Sequence, residues 1–108
     1  MITQATQPIH YDGEDIPELD VLAEAVSSLQ DSDEVKRFLR DLCTYAELEA
    51  LAQRWAIARL LDEGFSYAAA AARVSGSTTT VTRVSQWLRH GAGGYRLALE
   101  RLDKPEGK

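Results

Sequence analysis

From Val21 to Leu102 the apolar residues recur at helical spacing, and no segment alternates apolar and polar residues as a half-buried strand would. That periodicity confines the chain to an all-α fold. Val21, Leu22, Ala25, Val26 and Leu29 give a first helix over about 21–30, with Asp20 as its N-cap. Asp31, Ser32 and Asp33 break the chain and cap a second helix. Its apolar stripe is Val35, Phe38, Leu39, Leu42 and Cys43. Thr44 opens the longest helix, because Thr44 and Glu47 have the spacing of a capping box. Leu48, Leu51, Trp55, Ala58 and Leu61 form its stripe, widened by Ile57 and Leu60, and Gly64 ends it. So broad an apolar face calls for cover by neighbouring helices or by a second subunit.

Ser66 caps the next helix, which runs from Tyr67 through five alanines to Arg73 and Val74. Alanine has the best helix propensity, so the local signal is strong. Ser75-Gly76-Ser77 is a tight turn. Ser77 or Thr78 then caps a helix through Val81, Val84, Leu88 and Arg89. His90-Gly-Ala-Gly-Gly breaks it, and Tyr95 to Leu102 makes a last short helix. Phe38, Trp55 and Trp87 read as core or pocket-filling aromatics, and Tyr95 as the residue that packs the last helix back on the body. Cys43 reads as a buried small residue rather than a redox sensor.

Charge narrows the function only after it is located. The 108 residues carry a net charge of −5, which argues against a phosphate-rich partner if spread evenly. It is not. The first twenty residues hold Asp12, Glu14, Asp15, Glu18 and Asp20 and no Lys or Arg, and the other 88 balance 12 acids against 12 bases. The stretch from Ser66 to Arg96 has Arg73, Arg83, Arg89 and Arg96 and no acid, a local +4. The expected organisation is a disordered acidic arm over 1–19 and a helical domain over 20–104. A single cysteine excludes a disulfide framework or a multi-cysteine zinc site. There is no signal-like segment and no run long enough to span a membrane, so a cytoplasmic protein is expected.

A short helix, a glycine-containing turn and a helix that starts with small polar residues form a helix-turn-helix pattern, here over about 66–90. The first helix must be small where the second crosses it, and Ala70 and Ala71 satisfy that. Val81 and Val84 supply the inner face of the second. Its outer face holds Ser77, Thr78, Thr79, Thr80, Thr82, Arg83 and Gln86. Threonine offers a hydroxyl and a methyl, and Arg and Gln can make bidentate contacts to base edges. The free amides at Ser77–Thr80 favour an anionic phosphate. Read more plainly, four hydroxyl residues at a helix start are a cap and nothing more.

The segments LCTYAELEALAQRWAIARLLDEGFSY, GSTTTVTRVSQWL and HGAGGY resemble the Trp repressor-related family, in its YerC/YecD-type branch. Its specific signals are Leu51–Arg54, Ser77–Arg83 and Gly93-Gly94-Tyr95. The resemblance covers about residues 34–102. It implies an all-helical fold, a dimer intertwined through N-terminal helices, a DNA-binding helix pair in each subunit, and bacterial transcription regulation. It also implies an effector pocket at Thr44, Arg54, Arg83 and Trp87. Trp87 and Val84 stand where the family has serine and glycine, and their bulk argues against a bound amino acid. The plainer roles are an N-cap for Thr44, a surface or ion-pairing side chain for Arg54, and a phosphate contact for Arg83. The family's turn glycine matches Ser75, with Gly76 one residue later. Either the turn shifts by one residue or Ser75 takes a strained conformation. Ala68, Ala69 and Ala72 replace polar residues of the family, which leaves Ser66, Tyr67 and Arg73 for phosphates on that helix.

The expected function is a sequence-specific DNA-binding regulator, a repressor of the homodimeric type, that reads the major groove of double-stranded DNA with the helix starting near Ser77. No cofactor is expected, with tryptophan or another amino-acid corepressor as the less favoured case. The alternative is a helical protein–protein interaction module with weak or no DNA binding. An enzyme is not expected, because no nucleophile–histidine pair, phosphate loop or metal cluster is present in the sequence.

Overall fold

The computed structural model describes residues 16–103 and is helical, with six helices and no strand among the described residues. They are α1 (Leu19–Ser27), α2 (Ser32–Leu42), α3 (Tyr45–Asp62), α4 (Tyr67–Arg73), α5 (Thr78–His90) and α6 (Gly94–Asp103). The chain divides between Ala50 and Leu51, within α3, into two compact units. The acidic arm expected over 1–19 lies, up to residue 15, outside the described residues.

In the N-terminal unit α1 starts at Leu19 and ends at Ser27, earlier at both ends than the 21–30 expected. Asp20 lies inside the helix, and Glu18 at the N-cap makes no side-chain cap bond. At the far end the Ser27 and Ser28 hydroxyls donate to the carbonyls of Glu24 and Ala25. Such back-bonding competes with helix propagation. Gln30 and Asp31 are then drawn into the cap of α2. Asp31 accepts from the Glu34 amide at 2.9 Å, and Glu34 accepts from the Gln30 amide at 2.9 Å. Neither α1 nor α2 buries a residue. Val21 is 58% exposed and Leu42 52%. Phe38 is half-buried rather than core, and so is Cys43, the C-cap of α2. Thr44 and Glu47 close the expected capping box, the Thr44 amide donating to Glu47 at 2.8 Å and the Glu47 amide to Thr44 at 3.1 Å.

The C-terminal unit holds the core. It is built from Ile57 and Ala58 of α3, Ala70 and Ala71 of α4, Val81, Val84 and Leu88 of α5, and Leu99 of α6. Ala70, Val81 and Val84 are fully buried, so the close helix crossing read from the alanines and the inner face read from the valines are both present. Trp55 is half-buried at the edge of this core. Its ring stacks on Tyr95 with centroids 6.4 Å apart and 10° between planes. That offset stack ties α6 to α3.

Two helix ends in this unit share one hydrogen-bond pattern. After α3 the Gly64 amide donates to Leu61 and the Phe65 amide to Leu60, with Gly64 at φ +101°. After α4 the Ser75 amide donates to Ala72 and the Gly76 amide to Ala71, with Ser75 at φ +56°. Both are Schellman caps. The second puts serine where the first has glycine. The turn therefore does not shift to Gly76, and Ser75 itself takes the left-handed conformation.

Candidate nucleic-acid interface

Within the C-terminal unit α4 and α5 form the helix pair, joined by residues 74–77. Ser66 caps α4 by accepting from the Ala69 amide at 3.1 Å. Ser77 caps α5 by accepting from the Thr80 amide at 3.2 Å. The Thr80 hydroxyl lies 3.3 Å from Ser77 Oγ, and Thr80 is half-buried, so it belongs to the cap more than to the outer surface. The cap leaves the Thr78 and Thr79 amides without an acceptor among the described residues. Two aligned free amides at the start of a 13-residue helix favour an anion there.

Thr79, Thr82, Arg83 and Gln86 are all exposed and fall at i, i+3, i+4 and i+7. They form one stripe about 10 Å long on the face opposite Val81, Val84 and Leu88. The Thr82 hydroxyl donates to the Thr78 carbonyl at 2.9 Å, which leaves its methyl and lone pairs for a partner. Arg83 makes no ion pair among the described residues, so its guanidinium is available. Thr78 is exposed beside the stripe.

The sequence-level +4 is altered by the fold. Arg96 pairs with Asp62 of α3 at 3.7 Å, an acid outside the acid-free stretch. Arg73 lies over the Phe65 ring, 4.7 Å from its centroid, a cation–π contact that holds it along α4. Among the described residues Arg83 and Arg89 make no ion pair.

Two contacts that sequence reasoning missed hold the pair together. The Gln53 amide nitrogen of α3 donates to the Val74 carbonyl at 3.1 Å, inside the turn. The Tyr67 hydroxyl donates to Ser85 Oγ, joining the start of α4 to the buried side of α5. Gln53 sits in the Leu51–Arg54 segment, and a polar residue on the otherwise apolar side of α3 was the available signal.

Of the expected effector residues, Thr44 belongs to the N-terminal unit and Arg54, Arg83 and Trp87 to the C-terminal unit. Thr44 is the N-cap of α3 in the N-terminal unit, its amide and hydroxyl both engaged. Arg54 and Arg83 are exposed in the C-terminal unit. Trp87 is half-buried against Gly91, where a Cβ would come within 3.0 Å of its ring.

The model of the family described as Trp repressor protein matches residues 17–103. The chain belongs to that family. It is 42% identical over 89 residues to the uncharacterised protein YerC of Bacillus subtilis (strain 168), covering 82% of this chain and 86% of that one. A crystal structure of a TrpR-like protein from Eubacterium eligens ATCC 27750 matches with a TM-score of 0.78 and 34% identity, over 86% of this chain and 96% of that one. A candidate Trp repressor from Staphylococcus aureus matches with a TM-score of 0.79 and 30% identity, over 88% and 96%. The all-helical TrpR-like fold expected from the sequence is the fold found, and this family member is a TrpR-like regulator. Among the described residues no helix is long and apolar enough to cross a membrane.

Proposed function

We propose that this Trp repressor-family protein is a sequence-specific transcription regulator that reads the major groove of double-stranded DNA with α5. The observation that carries the reading is the exposed stripe of Thr79, Thr82, Arg83 and Gln86 on a helix whose other face is locked into the core. Its residue types match base-edge chemistry: bidentate donors from Arg and Gln, and threonine methyls for thymine. The Thr78 and Thr79 amides, Ser66 and Arg73 position the protein on backbone phosphates.

The regulator acts as a homodimer in the cytoplasm. Its support is the apolar surface of α1 and α2, no residue of which is fully buried within the single chain. A second copy gives that surface a partner and presents two α5 helices to successive major grooves about 34 Å apart. No cofactor is required, and tryptophan binding is disfavoured by Trp87 and Val84. No catalytic role is assigned to any residue.

A second reading, a protein–protein interaction module, draws on Ala68 and Ala72, which are exposed on α4 and offer no hydrogen-bonding group. Selection of bound fragments from genomic DNA, followed by fluorescence anisotropy on the enriched duplex, separates the two. Saturable binding to a palindromic site that weakens steeply with salt supports the regulator. No enrichment and no salt-sensitive binding at micromolar protein, with a stoichiometric protein partner recovered instead, selects the module.

A further inference from the structure

A cavity of about 400 Å³ lies in the C-terminal unit, and neither the residues of the α5 stripe nor Arg54 or Trp87 line it. Leu61 and Asp62 line it from the end of α3, Phe65 from the connection that follows, and Tyr67 from the start of α4. Ser85, Leu88 and Arg89 line it from α5, and Arg96 from α6. Its volume is in the range of small-molecule sites.

Three features define what it would take. The first is charge. Arg89 makes no ion pair among the described residues, and Arg96 spends its charge on Asp62 across a long 3.7 Å contact. Two guanidinium groups against one carboxylate leave one positive charge uncompensated. The second is a spare donor. Tyr67 and Ser85 share a single hydrogen bond, and Ser85 is only 7% exposed. Two hydroxyls with one bond between them leave one O–H without an acceptor, and a buried donor gains by finding one. The third is an apolar wall of Leu61, Phe65 and Leu88, with Leu88 only 8% exposed.

We propose that this cavity binds a small organic carboxylate of single negative charge with a compact apolar body. The carboxylate pairs with Arg89 and accepts the spare O–H of the Tyr67–Ser85 pair, and the apolar body lies against Phe65, Leu61 and Leu88. The site touches both helices of the helix-turn-helix, so occupancy fixes α4 against α5 through Tyr67 and Ser85. It is an effector site separate from the family's expected pocket, and it stands whether or not α5 reads DNA.

Benzoate is the probe, with benzamide as its neutral isostere and inorganic phosphate as an anion without an apolar body. Backbone amide and arginine side-chain NMR signals of the full chain are followed during each titration. Benzoate is expected to shift Phe65, Tyr67, Ser85, Arg89 and Arg96 together and saturably, with benzamide and phosphate each weaker by about fivefold or more. Arg89→Gln should weaken benzoate by about the same factor, and so should the double variant Tyr67→Phe with Ser85→Ala, which removes both hydroxyls, with the amide spectrum otherwise retained in each. Equal binding of benzamide, indifference to Arg89→Gln, or shifts that never saturate would overturn the proposal. So would a cavity that ignores benzoate but responds to duplex DNA, which would make Arg89 and Arg96 contacts for a backbone phosphate.

Discussion

The carboxamide of Gln53 donates to the carbonyl of Val74, 3.1 Å away and 21 residues further along the chain. Val74 is the C-cap of α4, and its carbonyl lies beyond the reach of the helix's own amides. The bond therefore fixes the turn of the helix pair to the long helix beneath it. Gln53→Ala leaves that half-buried carbonyl without its partner. The expected cost is about 1 kcal/mol of unfolding free energy, seen as a lower urea midpoint with unchanged slope. Gln53→Glu should be at least as costly, because a carboxylate cannot donate to a carbonyl. A wild-type midpoint in both variants would show that the bond contributes nothing.

Ser75 carries a local cost that its counterpart Gly64 does not. Both sit at the same position of a Schellman cap, at φ +56° and +101°. A side chain in the left-handed region costs roughly 1–2 kcal/mol, partly offset on replacement by the greater freedom of unfolded glycine. Ser75→Gly should therefore stabilise the protein by about 0.5–1 kcal/mol. Ser75→Val should destabilise it by more than 1 kcal/mol or so, since a β-branched residue tolerates this conformation least. Thermal unfolding followed by circular dichroism ranks the three proteins. An order other than Gly above Ser above Val would contradict the strain.

What the sequence made legible was local. The Thr44–Glu47 box and the Ser66 and Ser77 caps rest on partners three residues away, so the residue types alone announce them. Ala70, Ala71, Val81 and Val84 were assigned to the inner face because helical periodicity alone fixes which side of a helix they share. What stayed hidden was tertiary. Nothing near Gln53 in sequence points to Val74, and nothing near Tyr67 points to Ser85, 18 residues on. The +4 of the acid-free stretch was overstated for the same reason, since Asp62 reaches Arg96 from outside it. The start of α1 was misplaced because no side chain caps it. Two open alternatives for the turn were resolved by Ser75, whose backbone could not be read from its identity.

Gly91 is required by close approach rather than by φ. A Cβ there would stand 2.5 Å from the Trp87 carbonyl oxygen, the same oxygen that accepts the Gly91 amide. It would also press on the Trp87 ring at 3.0 Å. Gly91→Ala must therefore displace the end of α5 or break its last hydrogen bond, at an expected 1–3 kcal/mol or so. Trp55→Phe removes the other indole, so Trp87 fluorescence in that background reports the site directly. A red shift on Gly91→Ala would show the ring moving toward water, whereas unchanged emission and stability would refute the close packing.

The α5 stripe yields the last expectation. Arg83 and Thr79 are both exposed on the reading face, yet their chemistry differs. Arg83 supplies a charge and a bidentate donor, so Arg83→Ala should cost roughly 1–3 kcal/mol of specific affinity and lower the salt slope by about one ion per subunit if it also neutralises a phosphate. Thr79 is uncharged, so Thr79→Ala should relax discrimination at one base pair, by about 1–3 kcal/mol, with an unchanged salt slope. Gln86→Ala should resemble Thr79→Ala in that respect. Val81 and Val84 lie on the opposite face, and changing them should act through stability instead. Anisotropy titrations on the selected duplex at several salt concentrations separate these terms. If Arg83→Ala and Thr79→Ala both left affinity and base preference unchanged in folded protein, α5 would not be the reading helix.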